Sequence, residues 1–218
     1  MSAIGMTDPI NRHLRDLLHR RPELSVCQAD VIRAFEMMRD CFRRGGKMLL
    51  CGNGGSAADA EHWAGELLKG FVHQRPLDRK EKQRLPPALG RKLQGALPAI
   101  ALTGFVSLGT AFANDVDPQL VFAQLVWALG RPGDLLVGLS TSGNARNVCA
   151  AMQAAKGRGL ARVGLSGKTG GRLLSLSELC IRAPAHETHL VQEFHLPIYH
   201  CLSLMLEAEF FGGRTAAG

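Results

Sequence analysis

Short, uninterrupted apolar runs alternate along this chain with longer stretches in which apolar residues recur at helical spacing. Ile10, Leu14, Leu17 and Leu18 predict a helix over 9–21, which Pro22 interrupts. Val31, Ala34, Phe35, Met38 and Phe42 form one face of a second helix over 26–44, ended by Gly45-Gly46. Runs at 47–51, 98–102, 135–139, 162–165 and 179–182 are too short for stable helices and read as buried strands. Helical patterns follow them at 57–68, 106–113, 118–129, 145–158 and 172–175, and a last long helix is predicted over 188–211. Residues 1–8 carry no such pattern and are expected to fray.

Apolar strands alternating with helices are the signature of a parallel sheet covered on both faces, so the fold class is α/β with five strands. Such folds bind ligands beyond the carboxyl ends of the strands, at a topological switch point. Residues 1–45 read as N-terminal helices whose apolar faces are candidates for an oligomer interface. Residues 46–211 read as the sheet domain, and 212–218 as a tail. Within the domain, 73–92 stands out as a polar insertion with proline breakers and short helices near 78–85 and 88–93.

Composition narrows the function classes. A chain of 218 residues suits one domain with a real core. The formal charge of +7 invites a nucleic-acid reading, but seven Lys or Arg against two acids in 73–92 supply +5 of it, and a local excursion of this kind reads as a solvated surface. Six scattered cysteines in apolar contexts, with no C-x-x-C pair, read as reduced buried thiols. No stretch approaches the roughly 18 apolar residues of a membrane span. A soluble cytoplasmic protein with neither nucleic-acid nor membrane partners is expected.

Two loops share one build. Gly52-Asn53-Gly54-Gly55-Ser56 follows the first strand and Ser140-Thr141-Ser142-Gly143-Asn144 follows the third; each opens a helix. Backbone N–H groups at a helix start, joined by hydroxyls, favour a phosphoryl group. One such loop could be a simple helix cap, but two in one small sheet point to anion binding. Neither matches the nucleoside-triphosphate or dinucleotide fingerprints.

His62 and Glu66 stand at i, i+4 on the helix after the first loop. Alone they read equally well as a helical ion pair. The last helix changes that weighing, because His189, Gln192, Glu193, His195 and His200 interrupt an otherwise apolar pattern, and polar groups on a buried helix are costly unless paired or functional. Gln192 and His200 lie on one side, with Pro197 between them able to kink the helix. His189 and His195 read as satisfied surface or core residues. His62, Glu66, Gln192 and His200 could supply N and O ligands to a divalent metal such as zinc.

Taken together, the Cys51-to-Ser56 run with His62 and Glu66, the Ser140–Asn144 loop, the Asn114-Asp115 pair and the Gln192-Glu193…His195…His200 helix resemble the SIS (sugar isomerase) domain. Within it they are similar to the phosphoheptose isomerase branch, in order, over about residues 27–210. The resemblance implies a three-layer, flavodoxin-like sandwich that binds a sugar phosphate and converts D-sedoheptulose 7-phosphate to D-glycero-D-manno-heptose 7-phosphate through an enediol. It implies that Asn53, Gly54, Gly55 and Ser56 line the substrate, that Ser140, Thr141 and Ser142 hold the phosphate, and that Asn114 and Asp115 contact sugar hydroxyls. His62, Glu66, Gln192 and His200 would ligate zinc, with Glu66 and His200 also acting as base and acid and Gln192 facing the substrate. A homotetramer with shared active sites is implied as well.

The chain departs from that pattern at Ala145, where a second phosphate-binding Ser is usual, at His189 in place of Asp, and at Gly70 in place of a substrate-contacting Arg. Lys69 or a basic residue of the insertion could replace that Arg, and the insertion is placed to form a lid or reshape the sugar pocket. Three alternatives compete: an isomerase for another sugar phosphate, a non-catalytic SIS protein that binds a partner such as the replication initiator, and a sugar-phosphate-sensing regulator. His200 disfavours the second, and the short N-terminal region disfavours the third.

Overall fold

A computed structural model describes residues 8–212. The chain runs α1 (Asp8–Arg20), a 3-10 turn (Pro22–Cys27), α2 (Gln28–Arg43), β1 (Met48–Cys51), α3 (Gly55–Leu68), α4 (Arg79–Gln83), α5 (Pro87–Lys92) and β2 (Ala99–Ala101). It continues with α6 (Val106–Asp115), α7 (Val121–Leu129), β3 (Leu135–Ser140), α8 (Arg146–Gly157), β4 (Ala161–Ser166), α9 (Leu173–Leu176), β5 (Leu179–Arg182) and α10 (Thr188–Phe211). The expected fraying of 1–8 and the 212–218 tail fall outside the described residues, except that Asp8 already opens α1 and Gly212 closes α10.

All five strands pair in parallel, in the order β2-β1-β3-β4-β5. Alternation along β1 divides the core. Met48 and Leu50 face α1, α2, α3 and α10, whose Leu14, Leu17, Phe35, Met38, Trp63, Ile198 and Leu202 complete one apolar cluster. Leu49 and Cys51 face α7, α8 and α9 through Phe122, Val126, Val148, Met152 and Leu173. The result is the three-layer sandwich expected. The apolar faces of α1 and α2, read as candidate oligomer surfaces, are spent on the protomer's own core. Helix α6 has no buried residue.

The chain leaves β1 toward β2 on one side and returns to β3 on the other. The crevice between β1 and β3 is therefore the switch point, and the two glycine-and-serine loops flank it. All six cysteines are free and buried. Among the described residues, no helix is long and apolar enough to cross a membrane.

Apart from Arg75, the bases of the insertion are exposed, as a solvated surface requires, but the segment is tied to the rest of the fold. Pro76 bridges to Gln94, Asp78 and Glu81 form a capping box on α4, and Arg75 is fully buried. Glu81 borders a cleft with Phe42, Pro98, Phe210 and Phe211, near the end of the sheet where the strands begin. The segment is thus led along α10, away from the two loops.

Candidate active site

Helix α3 begins at the first loop, with Gly54 at the cap position. It turns His62 and Glu66 toward α10. His62 Nε2 and His200 Nε2 each lie 3.1 Å from Glu66 Oε1. Neither contact is aligned as a hydrogen bond: both Glu66 oxygens and His200 Nε2 are buried without a hydrogen-bond partner among the described residues. Three ligand atoms from His62, Glu66 and His200 fall within 4.8 Å of one another. An exposed, a half-buried and a buried donor residue that converge on one centre, with Glu66 and His200 left unsatisfied, fit a divalent cation.

Glu66 is 4 % exposed. Burial pushes its carboxyl up to about 7, against the opposing pull of the Ser203 hydroxyl and the Lys69 ammonium. Burial, helped by His62 and Arg20, lowers His200 below its ordinary value and so favours the neutral ring. Behind them, the Tyr199 hydroxyl reaches His62 Nδ1 at 3.0 Å and Asp59 Oδ1 at 3.2 Å, and its ring stacks on Trp63. Phe71 sets its ring 5.3 Å from that of His200.

The remaining residues singled out by the sequence are spread around this cluster. Gln192 packs its amide over Gly55, at the start of α3. Asn53 exchanges two hydrogen bonds with Asn147, 2.9 and 2.8 Å, tying the first loop to the first turn of α8. Ser56 is buried beneath its loop. In the second loop, Ser140 Oγ accepts from Ala145 N, Ser142 Oγ accepts from Asn144 N, and Thr141 Oγ1 meets Thr188 Oγ1 at 3.4 Å. Asn114 and Asp115 are exposed at the end of α6 and bonded to each other, and within one protomer they are not brought to the cluster. His195 is a core residue held to the Ser166 carbonyl, and His189 is exposed.

Two departures acquire a physical reading. A Cβ on Gly70 would stand 2.3 Å from the His73 carbonyl oxygen, so a larger side chain does not fit this turn as folded. Lys69 folds its ammonium onto the Gly70 carbonyl at 3.0 Å. Sequence reasoning missed Asp59, Tyr199, Phe71, Asn147, Arg75 and Glu207. Tyr199 is the chain's one tyrosine and neighbours His200, and Glu207 is an acid in the apolar part of α10, so both carried a signal. Arg75 was hidden among the other bases of the insertion.

Comparison with known proteins gives the family and the fold. Two models described as SIS domain match residues 14–82 and 99–207. The phosphoheptose isomerase of Roseiflexus sp. (strain RS-1) is 44 % identical over 185 residues, covering 84 % of each chain. That of Desulfovibrio desulfuricans is 41 % identical over 210 residues, covering 96 % of this chain and 91 % of the relative. A solved phosphoheptose isomerase from Neisseria gonorrhoeae superposes with a TM-score of 0.72 at 32 % identity, covering 91 % of this chain and 97 % of that one.

Proposed function

This chain belongs to the SIS domain family, in its phosphoheptose isomerase branch, and from that premise we propose how its own residues carry out the aldose–ketose isomerisation of D-sedoheptulose 7-phosphate to D-glycero-D-manno-heptose 7-phosphate. The observation that carries the reading is Glu66, a buried carboxyl raised to about 7 between two imidazoles where α3 meets α10.

Isomerisation moves a proton from C1 of the ketose to C2 through a cis-enediol, and moves another between the two oxygens. Glu66, half ionised near neutrality, takes the carbon-bound proton and returns it to the adjacent carbon. His200, neutral with one N–H and one lone pair, gives a proton to one oxygen and receives one from the other. The hydroxyls and N–H groups of Ser140, Thr141 and Ser142 bind the phosphate. Asn53 to Ser56 and Gln192 line the sugar. Phosphate binding is remote from the reacting carbons, and its energy orients them. His62, Glu66 and His200, with Gln192, would hold a zinc ion, which when bound polarises the carbonyl and stabilises the enediolate.

Assembly is part of the proposal. Helix α6 has no fully buried residue in the protomer, and Phe105, Val106, Leu108, Val116 and Leu120 around it are exposed. A homotetramer would cover these residues and bring Asn114 and Asp115 to a neighbour's sugar site.

Purified protein is incubated with a panel of ketose phosphates with and without zinc, and aldose phosphate formation is followed. Activity on the heptulose phosphate that falls about 10²- to 10⁴-fold in Glu66→Gln and in His200→Asn is expected. If neither substitution alters turnover, the assigned roles fail; preferred turnover of a shorter ketose phosphate would replace the substrate.

A further inference from the structure

Helix α3 carries Glu66 in its last turn, where backbone carbonyls lack intrahelical partners. No left-handed glycine closes the helix, and Lys69 follows it in extended backbone (φ −142°, ψ 172°). The guanidinium of Arg75 takes that place. Its Nη2 donates to the Glu66 carbonyl at 3.0 Å and its Nη1 to the Leu67 carbonyl at 2.8 Å. Its Nε donates to Glu207 Oε1 on α10, also at 2.8 Å. Arg75 is fully buried and its charge rests 4.7 Å from the centre of the Phe211 ring.

Glu207 is equally enclosed. Its two oxygens also accept the N–H groups of Phe71, Val72 and His73 at 2.9, 3.0 and 3.1 Å. Burial alone would raise this carboxyl; these donors and Arg75 outweigh it and hold the group below the usual carboxylate range. The folded 71–73 segment is what presents Phe71 to His200. Glu207 lies two helical turns beyond His200 on the same face of α10. One ion pair therefore spans the helix of the base and the helix of the acid, and ends on the backbone of the base itself.

We infer that Arg75 is a positioning residue of the isomerase. Held by Glu207, it fixes the end of α3 against α10, and so sets Glu66 relative to His200 and Phe71. The inference rests on the isomerisation proposed above. A lysine cannot replace it, because one ammonium lacks the planar fork that reaches two carbonyls and a carboxylate together. The insertion would then matter to the reaction through its first arginine and not as a cover over the substrate.

The test uses the full chain in a Trp127→Phe background, so that Trp63, stacked on Tyr199 at the α3–α10 contact, is the one tryptophan left. Arg75→Lys and Glu207→Gln are compared with Lys47→Met, which breaks an ion pair to Asp134 beside the first residues of β1 and β3 and touches neither α3 nor α10 through that pair. Both site variants are expected to change the near-ultraviolet dichroism of Trp63 and to lower kcat about ten- to a hundredfold with KM for the ketose phosphate within about twofold. Lys47→Met is expected to lower the melting temperature and leave both readouts at the background values. An unchanged Trp63 spectrum in Arg75→Lys overturns the inference. So does an unchanged kcat, or an equal loss of kcat in Lys47→Met. If the background protein turns over no sugar phosphate, the functional proposal fails, while the Trp63 spectrum still decides whether Arg75 sets the two helices.

Discussion

The Tyr199 hydroxyl lies 3.0 Å from His62 Nδ1. When it donates its proton to Asp59 Oδ1, 3.2 Å away, it accepts Nδ1–H from the imidazole, the tautomer that turns the Nε2 lone pair toward Glu66. The tyrosine thus selects the tautomer a metal ligand needs. Tyr199→Phe is expected to fold, since the ring still stacks on Trp63, but to weaken zinc binding about 10- to 100-fold. Competition against a chromophoric chelator measures this. Undiminished zinc affinity would show that the hydroxyl does not select the tautomer.

Neighbouring glycines in the first loop are expected to fail differently. Gly54 has φ +55° with open space where a Cβ would go, so conformation alone demands glycine there. Gly54→Ala should cost about 1–3 kcal/mol of stability. Gly55 is not in the left-handed region, but its Cβ would meet the Gln192 amide at 2.6 Å. Gly55→Ala should keep a near-native melting temperature and lose kcat/KM about tenfold or more as that amide moves. Denaturant titration beside steady-state kinetics separates the two, and equal stability losses would contradict the distinction.

His195 makes stability depend on pH. Burial lowers its imidazolium to about 4, against the opposing hydrogen bond to Ser166. Its unfolded value is near 6.5, so between these limits the unfolded chain binds the extra proton and stability falls as pH falls. The native advantage is complete above pH 6.5 and is lost on the way down to pH 4. Between pH 7 and pH 5 this amounts to about 2 kcal/mol. The stability gap between wild type and His195→Leu should shift by that amount in urea titrations at the two pH values; a pH-independent gap would refute it.

Asp134 anchors the opposite end of the sheet. Its carboxylate accepts the N–H groups of Lys47 and Arg131 at 2.9 and 2.8 Å and pairs with the Lys47 ammonium. Asp134→Ala should cost about 2–4 kcal/mol by leaving two enclosed N–H groups without acceptors. Turnover per folded molecule should stay at the wild-type value, because these contacts involve none of His62, Glu66 and His200. A specific loss of kcat would mean that the starts of β1 and β3 are coupled to the cluster.

Much of this was legible in the chain. Strand runs of four or five apolar residues predicted all five strands to within a residue or two, and of the residues named on the helical faces of 9–21 and 26–44 all but Leu18 are buried. His62 and Glu66 were visible through their spacing, and His200 through the cost of polarity on an apolar helix. Arg75 was not, because composition cannot separate one buried guanidinium from six exposed or half-exposed bases around it. The direction of the insertion was hidden for the same reason. It is decided by Glu207, which lies 132 positions further on. Exposed Asn114 and Asp115 could not be assigned from one copy's geometry.

The cluster draws two of its members from α3 and the third from α10. During synthesis the chain emerges from its amino end. His62, Glu66 and Arg75 are made while the residues that complete them lie more than a hundred codons away. Until α10 emerges, Glu66 has no second imidazole beside it and the Arg75 guanidinium has no carboxylate. A chain that stops before α10 holds the five strands and both glycine-and-serine loops, yet it lacks the third member of the cluster and the carboxylate that pairs with Arg75. The cluster is complete only once α10, the last of the described elements, has been made.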